Sequence, residues 1–470
     1  MVSPLKLNEN IVEMEYAVRG PIPLRAAELQ AAGRTTIACN IGNPQALGQQ
    51  PITYYRQVLS LIEQPALIGR ERRLAATASD AEVLFPPEAL ETAERVLEGF
   101  GVGTGAYTES KGPRFIREAI AAFIDRRDSG PDGPAVASDP EKVFITDGAS
   151  DGAKHVLEML ISGPTDGIMI PIPQYPLYSA TIRKCGGVQV DYYPDEERGW
   201  VLDRAMLEEA FAGAEGRGVK VKAVVAINPG NPTGAILDEK SVDEVIAFAG
   251  DHGLAIIADE VYQDNLYGAP FHSFAKVLNT RDVPLFSLHS VSKGFYGECG
   301  HRGGYLEVRN PPPVDAGGLS FMDVLLKQAS VSFCSNTMGQ ALTYLMVSPP
   351  PKGAPSYDLF QREREGVLKD LYGKATMIKQ AFEEMEGVSC PGRIGAMYLF
   401  PRLGVLPEGT TDFEYCMALL EETGLCTVNG SGFGQKEGTQ HLRIAFLPPR
   451  STLEAVLPRW IDFHNKYVRG

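Results

Sequence analysis

The chain has 470 residues, of which 44% are hydrophobic, and a formal net charge of -15. The length admits about three domains, and the apolar share is ample for sizeable cores. The acidic balance argues against nucleic acid or an anionic membrane as a bulk partner, and no apolar run reaches the ~18 residues of a membrane span.

Seven cysteines (Cys39, Cys185, Cys299, Cys334, Cys390, Cys416 and Cys426) are scattered, odd in number and never spaced CxxC. Neither a disulfide framework nor a zinc site is indicated, and a reducing compartment is favoured. The seven histidines form no HExxH pair, so no metal is expected. Residues Met1 to Arg25 lack a signal-peptide core. Val468-Arg469-Gly470 is not a peroxisomal tripeptide. The expected setting is cytoplasmic.

Along the chain, residues 1–25 show little periodicity, and Pro21 and Pro23 argue against a helix there. Asn40-Ile41-Gly42-Asn43-Pro44 reads as a turn. Residues 53–62 and 86–98 read as helices, the second opened by Pro86-Pro87-Glu88. Gly99 to Gly105 carries alternating glycines without a preceding strand or GxGxxG spacing, which rejects a dinucleotide loop. Tyr107 to Pro113 then leads into a helix over about 114–127. From residue 142 short apolar runs alternate with amphipathic ones. Strands are expected at 142–146, 167–171, 188–193, 220–227, 254–258 and 285–289, with helices to about 162, near 204–212 and at 239–250. That alternation predicts an α/β fold, a mostly parallel sheet sandwiched by helices. A Pro/Gly/Ser-rich stretch from Ser348 to Ser356 marks a boundary, followed by a charged helix over 358–386. A smaller α/β unit with strands at 397–400 and 441–446 closes the chain. The expected division is an N-terminal segment 1–85 contributing to the small domain, a large domain 86–350 and a C-terminal small domain 351–470.

Ligands of open parallel sheets bind outside the carboxyl ends of the strands. Those ends carry Gly148-Ala149-Ser150, Asn228 to Gly234, Asp259-Glu260-Val261-Tyr262, and Ser290-Val291-Ser292-Lys293, with Arg302 nine residues on. A lysine following a buried strand is a candidate imine-former, because burial disfavours an ammonium and frees the amine to attack a carbonyl. Ser290 and Arg302 suit a phosphate, as do the free amides where a helix starts at Ala149 and Ser150. Asp259 suits a protonated ring nitrogen, Asn231 and Tyr262 a phenolic oxygen, and Tyr175 a ring face. Together these describe pyridoxal phosphate (PLP). Singly, each has a plainer reading: a surface lysine, an aspartate cap, a packed tyrosine.

Asn228-Pro229-Gly230-Asn231-Pro232-Thr233-Gly234, Ala258-Asp259-Glu260-Val261-Tyr262 and the run Ser290 to Tyr305 resemble the fold-type-I PLP-dependent aminotransferases. Tyr16-Ala17-Val18-Arg19-Gly20-Pro21, Asn40 to Gln45 and Gly395-Ala396-Met397-Tyr398 resemble, more narrowly, the alanine aminotransferase branch. The resemblance spans roughly residues 10–465. It implies transamination between L-alanine and 2-oxoglutarate, giving pyruvate and L-glutamate in a ping-pong cycle. Lys293 is then the imine lysine and proton shuttle, with Asp259 on the ring nitrogen and Asn231 and Tyr262 on the ring oxygen. Tyr175 stacks on the ring, and Ala149, Ser150, Ser290 and Arg302 bind phosphate. The resemblance also implies a homodimer in which Tyr107 reaches the neighbour's phosphate, with Arg443 gripping the substrate carboxylate and Gly42 beside the substrate. A glutamate–glyoxylate aminotransferase, another PLP outcome such as a β-lyase, and a non-catalytic sensor are the competing readings. The sensor is disfavoured by the absence of an added basic segment.

Overall fold

The structure, a computed structural model, describes residues 5–15, 20–77, 84–130 and 136–470. Tyr16 to Arg19, in the Tyr16 to Pro21 stretch, lie outside the described residues.

Seven strands form the central sheet: β1 (Val143–Thr146), β2 (Asp166–Pro171), β3 (Val188–Tyr192), β4 (Lys220–Ile227), β5 (Ala255–Asp259), β6 (Leu285–Ser290) and β7 (Gly304–Arg309). Their spatial order is β1-β7-β6-β5-β4-β2-β3. Among the described residues β7 alone runs against the direction of the other six strands. Every residue of β5 and β6 is buried, as expected where helices cover both faces. The helix Glu239–His252 shows how the covering layer is specified. Asp238 accepts from the Ser241 amide at 2.8 Å, and Gly253 ends the helix in the left-handed region. Its buried face, Val242, Val245, Ile246, Phe248 and Ala249, packs on Val224 and Ala226 of β4 and on Ile256 and Ala258 of β5.

β7 is absent from the sequence reading, which assigned no element to residues 304–309. Glu307 breaks its apolar run, yet it is buried, its Oε1 accepting from Ser138 Oγ at 2.6 Å and from Arg309 Nε at 3.0 Å. The helix Pro21–Ala31 is a second correction. Pro21 and Pro23 fall in its first turn, where amides have no intrahelical acceptor, so the prolines start the helix instead of breaking it.

The C-terminal part carries the helices Tyr357–Glu383, Asp412–Thr423 and Arg450–Arg469 around short strands. Tyr398–Leu399 and Val428–Asn429 both pair antiparallel with Leu442–Ala445. From the N-terminal side, Ile37–Ala38 pairs parallel with Leu425–Cys426. The segment 1–85 does not act as one piece, however. Tyr54, Tyr55, Val58, Leu61 and Ile62 of the helix Thr53–Glu63 pack with Ala89, Ala93, Ile116, Ile145 and Leu342, which belong to the larger part.

Candidate active site

Strand register assembles the site. Ile227, Asp259 and Leu288 lie abreast, as do Thr146, Gly304 and Ser290, so the carboxyl ends of β1, β4, β5 and β6 open on one edge. A cavity of about 620 Å³ lies there. It is lined by Gly42, Ala149, Ser150, Tyr175, Asn231, Asp259, Tyr262, Ser290, Lys293, Arg302 and Arg443. Of the expected site residues, Tyr107 alone is elsewhere. It is 77% exposed on the surface, stacked on Phe333 with ring centroids 5.0 Å apart.

At one end, the helix Ala149–Leu160 starts without a side-chain cap, leaving its first amides free for an anion. Arg302 bends over this end. Its Nη2 donates to Asp147 O at 2.6 Å and to Ser150 Oγ at 3.2 Å, and its Nη1 to Cys299 O at 3.0 Å. Gly148 makes room, because a Cβ there would sit 2.7 Å from Arg302 Nη2. Ser290 Oγ donates to Gly303 O at 3.1 Å and accepts from the Ser292 amide at 3.0 Å. A guanidinium, two hydroxyls and free amides converging on one spot fit a phosphate.

In the middle, Asp259 is buried at the end of β5. Tyr178 donates to its Oδ2 at 2.8 Å, and the Val261 amide reaches Oδ1 at 3.4 Å. Burial pushes the Asp259 carboxyl above its ordinary range, opposed by the Tyr178 hydroxyl, the Val261 amide and Lys293. Lys293 Nζ donates to Gly42 O at 2.8 Å. Tyr262 donates to the Tyr398 hydroxyl at 3.3 Å. Burial pushes Tyr262 well above the phenol range. Tyr398 is also buried, which raises it, yet Lys293 and Arg443 pull it below that range.

At the far end, Arg443 is fully buried on the strand Leu442–Ala445, its guanidinium between the rings of Tyr398 at 4.3 Å and Phe433 at 4.5 Å. Nη1 donates to Asn231 Oδ1 at 3.1 Å, and Nη2 donates to Asn40 O. With Oδ1 engaged, Asn231 keeps its NH₂ for another acceptor. Arg443 Nε has no hydrogen-bond partner among the described residues. A buried donor left over on a cavity wall suits an incoming carboxylate.

The sequence reading assigned no role to Tyr178, Tyr398, Asn40 or Cys299, all of which touch or line the site. Tyr398 stood in a quoted motif. Tyr178 and Cys299 stand close to Tyr175 and Lys293, yet nothing in their spacing marks them.

Residues 77–459 match the family model described as Aminotransferase class I and II. Among curated relatives, alanine aminotransferase 1 of Homo sapiens is 44% identical, covering 98% of this chain and 94% of that protein. Glutamate–glyoxylate aminotransferase 1 of Arabidopsis thaliana is 42% identical, covering 98% and 95%. Among solved structures, an alanine aminotransferase from Pyrococcus furiosus is similar with a TM-score of 0.77 and 26% identity, covering 98% of this chain and all of that one.

Proposed function

The chain belongs to the class I and II aminotransferases, enzymes that depend on pyridoxal phosphate, and from that premise we propose that it exchanges the amino group of L-alanine with 2-oxoglutarate. One observation carries the reading. Lys293, Asp259, Arg302 and Arg443, far apart in sequence, line a single cavity large enough for a cofactor and a small amino acid.

Bound there, pyridoxal phosphate supplies a carbonyl that condenses with amines and a ring that takes up the electron pair left by a departing α-proton. The amides of Ala149 and Ser150, the Ser290 hydroxyl and Arg302 hold its phosphate. Asp259 would serve the ring nitrogen, Asn231 and Tyr262 the ring oxygen, and Tyr175 the ring face. Lys293 would supply the amine that anchors the carbonyl, and the same amine would take and return the substrate α-proton. Lys293 follows β6 by three residues, and its amine lies on the cavity wall 2.8 Å from Gly42 O, beside the space for the substrate. Arg443 takes the substrate carboxylate in place of Asn40 O, and the space left at Gly42 admits the substrate. The same residues serve both half-reactions, which gives ping-pong kinetics.

The assembly we propose is a homodimer in which Tyr107 contacts the phosphate of the other subunit. Its exposure beside Phe333 supports that placement. We keep the division into a large and a discontinuous small domain, with the N-terminal share of the small one reduced to the stretch before Thr53. The proposed setting is cytoplasmic, in keeping with seven unpaired cysteines.

A second reading, glutamate–glyoxylate transamination, is favoured by the 42% identical plant relative. Steady-state rates separate the two. L-alanine with 2-oxoglutarate is expected to give parallel double-reciprocal lines and the highest kcat/KM. A glyoxylate rate with L-glutamate that exceeds it would replace the first reading with the second.

A further inference from the structure

Asp259 lies at the floor of the cavity, and the hydrogen bond it receives from Tyr178 is the short one. Tyr178 is fully buried, on the first turn of the helix Leu177–Cys185. Its amide reaches back to Tyr175 O at 3.3 Å. One helix start therefore delivers Tyr175 to the cavity wall and Tyr178 to the carboxylate. Burial pushes the Tyr178 hydroxyl well above the phenol range, as does the adjacent carboxylate, so the bond runs from tyrosine to aspartate. The other groups that face Asp259 are Lys293 across the cavity and the Val261 amide. Glu260 lies buried near Arg127 and caps the Phe274 amide at 2.8 Å.

We propose that Tyr178 is a positioning residue for the reaction: its hydroxyl fixes the Asp259 carboxylate in orientation and in its ionised form, leaving Oδ1 for the cofactor's ring nitrogen. The inference rests on the reading of Asp259 given above. A buried carboxylate with no strong donor would favour its neutral form, and a neutral acid cannot pair with a pyridinium. Hydrogen bonds to charged groups are stronger than neutral ones, and losing one leaves its buried partner unsatisfied. The ring of Tyr178 fills the core in either case, so the role belongs to the hydroxyl alone.

The test is PLP binding to the PLP-free apoenzyme, followed by tryptophan fluorescence quenching between pH 5.5 and 8.5, in wild type, Tyr178→Phe, Asp259→Ala and the double variant. Tyr178→Phe is expected to weaken binding about tenfold or more at neutral pH, the usual scale for a hydrogen bond to a charged group. The acid side of its binding curve should move to higher pH, because a less supported carboxylate takes up its proton earlier. In the Asp259→Ala background the same change should cost less than twofold. An equal loss in both backgrounds would mean that Tyr178 acts through packing, and would overturn the proposal. No loss in Tyr178→Phe would overturn it too. If Asp259→Ala itself binds PLP as wild type does, the reading of Asp259 fails first, and the proposal with it. Matching thermal unfolding of the Tyr178→Phe and wild-type apoenzymes guards against a folding artefact.

Discussion

Gly42→Ala tests how closely the cavity is built. A Cβ on residue 42 would lie 1.9 Å from the Tyr398 hydroxyl and 3.1 Å from Lys293 Nζ. The hydroxyl would have to withdraw by about 1.1 Å to reach even the tightest tolerated contact of 3.0 Å. Tyr398 cannot move alone. It is 2% exposed, hydrogen-bonded to Tyr262 at 3.3 Å and stacked on Arg443 at 4.3 Å. The displacement therefore passes to the groups assigned to the ring oxygen and the substrate carboxylate. A misplacement of ~1 Å can cost about 10²-fold in rate, or ~2.7 kcal/mol of barrier. Overpacking adds a stability loss of about 1–3 kcal/mol. Initial rates with L-alanine and 2-oxoglutarate, with a urea titration of each variant, measure both. Tyr398→Phe on top of Gly42→Ala removes the clashing oxygen and leaves the Cβ 3.0 Å from the ring carbon, so kcat should recover at least tenfold over Gly42→Ala. Near-native rates for Gly42→Ala, or no recovery in the double variant, would refute the steric argument.

Arg443→Lys replaces a sandwiched, forked donor set by a point charge and leaves Asn231 Oδ1 short of a donor, so KM for amino and oxo acids alike should rise roughly 10- to 100-fold with a fall in kcat. Unchanged KM values would move the carboxylate site. Glu260 is buried, which pushes its carboxyl up to about 7 from 4.5. A folded-state pKa above the unfolded one means stability that is full below about 4.5 and lost as pH rises through about 7. Glu260→Gln should therefore flatten the decline of the urea midpoint between pH 5 and 8, a change worth up to ~3 kcal/mol. A decline of equal size in both proteins would assign it to other groups. Mixed dimers of Lys293→Ala and Tyr107→Ala chains, formed by random reassortment of equal amounts, should recover about a quarter of wild-type activity. Half the dimers are mixed, and each then has one intact site of two. No recovery after verified subunit exchange would place Tyr107 outside the partner's site.

The strand ends were legible because parallel strands covered on both faces read as apolar runs, as at 223–227 in Lys220–Ile227 and at 255–258 in Ala255–Asp259. The polar residue that follows such a run has one place to go, the carboxyl edge of the sheet. β7 was not legible, since Glu307 interrupts its run and one of its partners, Ser138, comes to it only in the folded chain. Tyr178 escaped for a related reason. A tyrosine on the buried face of an amphipathic helix reads as core, and only the packing of the helix Leu177–Cys185 on the sheet brings its hydroxyl to Asp259. The N-terminal stretch was misread where proline was treated as a breaker without regard to position, and where the helix Thr53–Glu63, apolar through Tyr54, Tyr55, Val58, Leu61 and Ile62, had no visible preference between cores.

The central claim is tested most directly by a single half-reaction. Purified enzyme carrying one PLP per site is mixed with L-alanine and no oxo-acid acceptor, and pyruvate is counted against sites. We expect one pyruvate per site, with loss of the bound aldehyde's visible absorbance, then no further release until 2-oxoglutarate is added. Lys293→Ala should release none on the same timescale. Pyruvate that keeps forming without an acceptor, or none from the wild-type protein, would contradict the assignment.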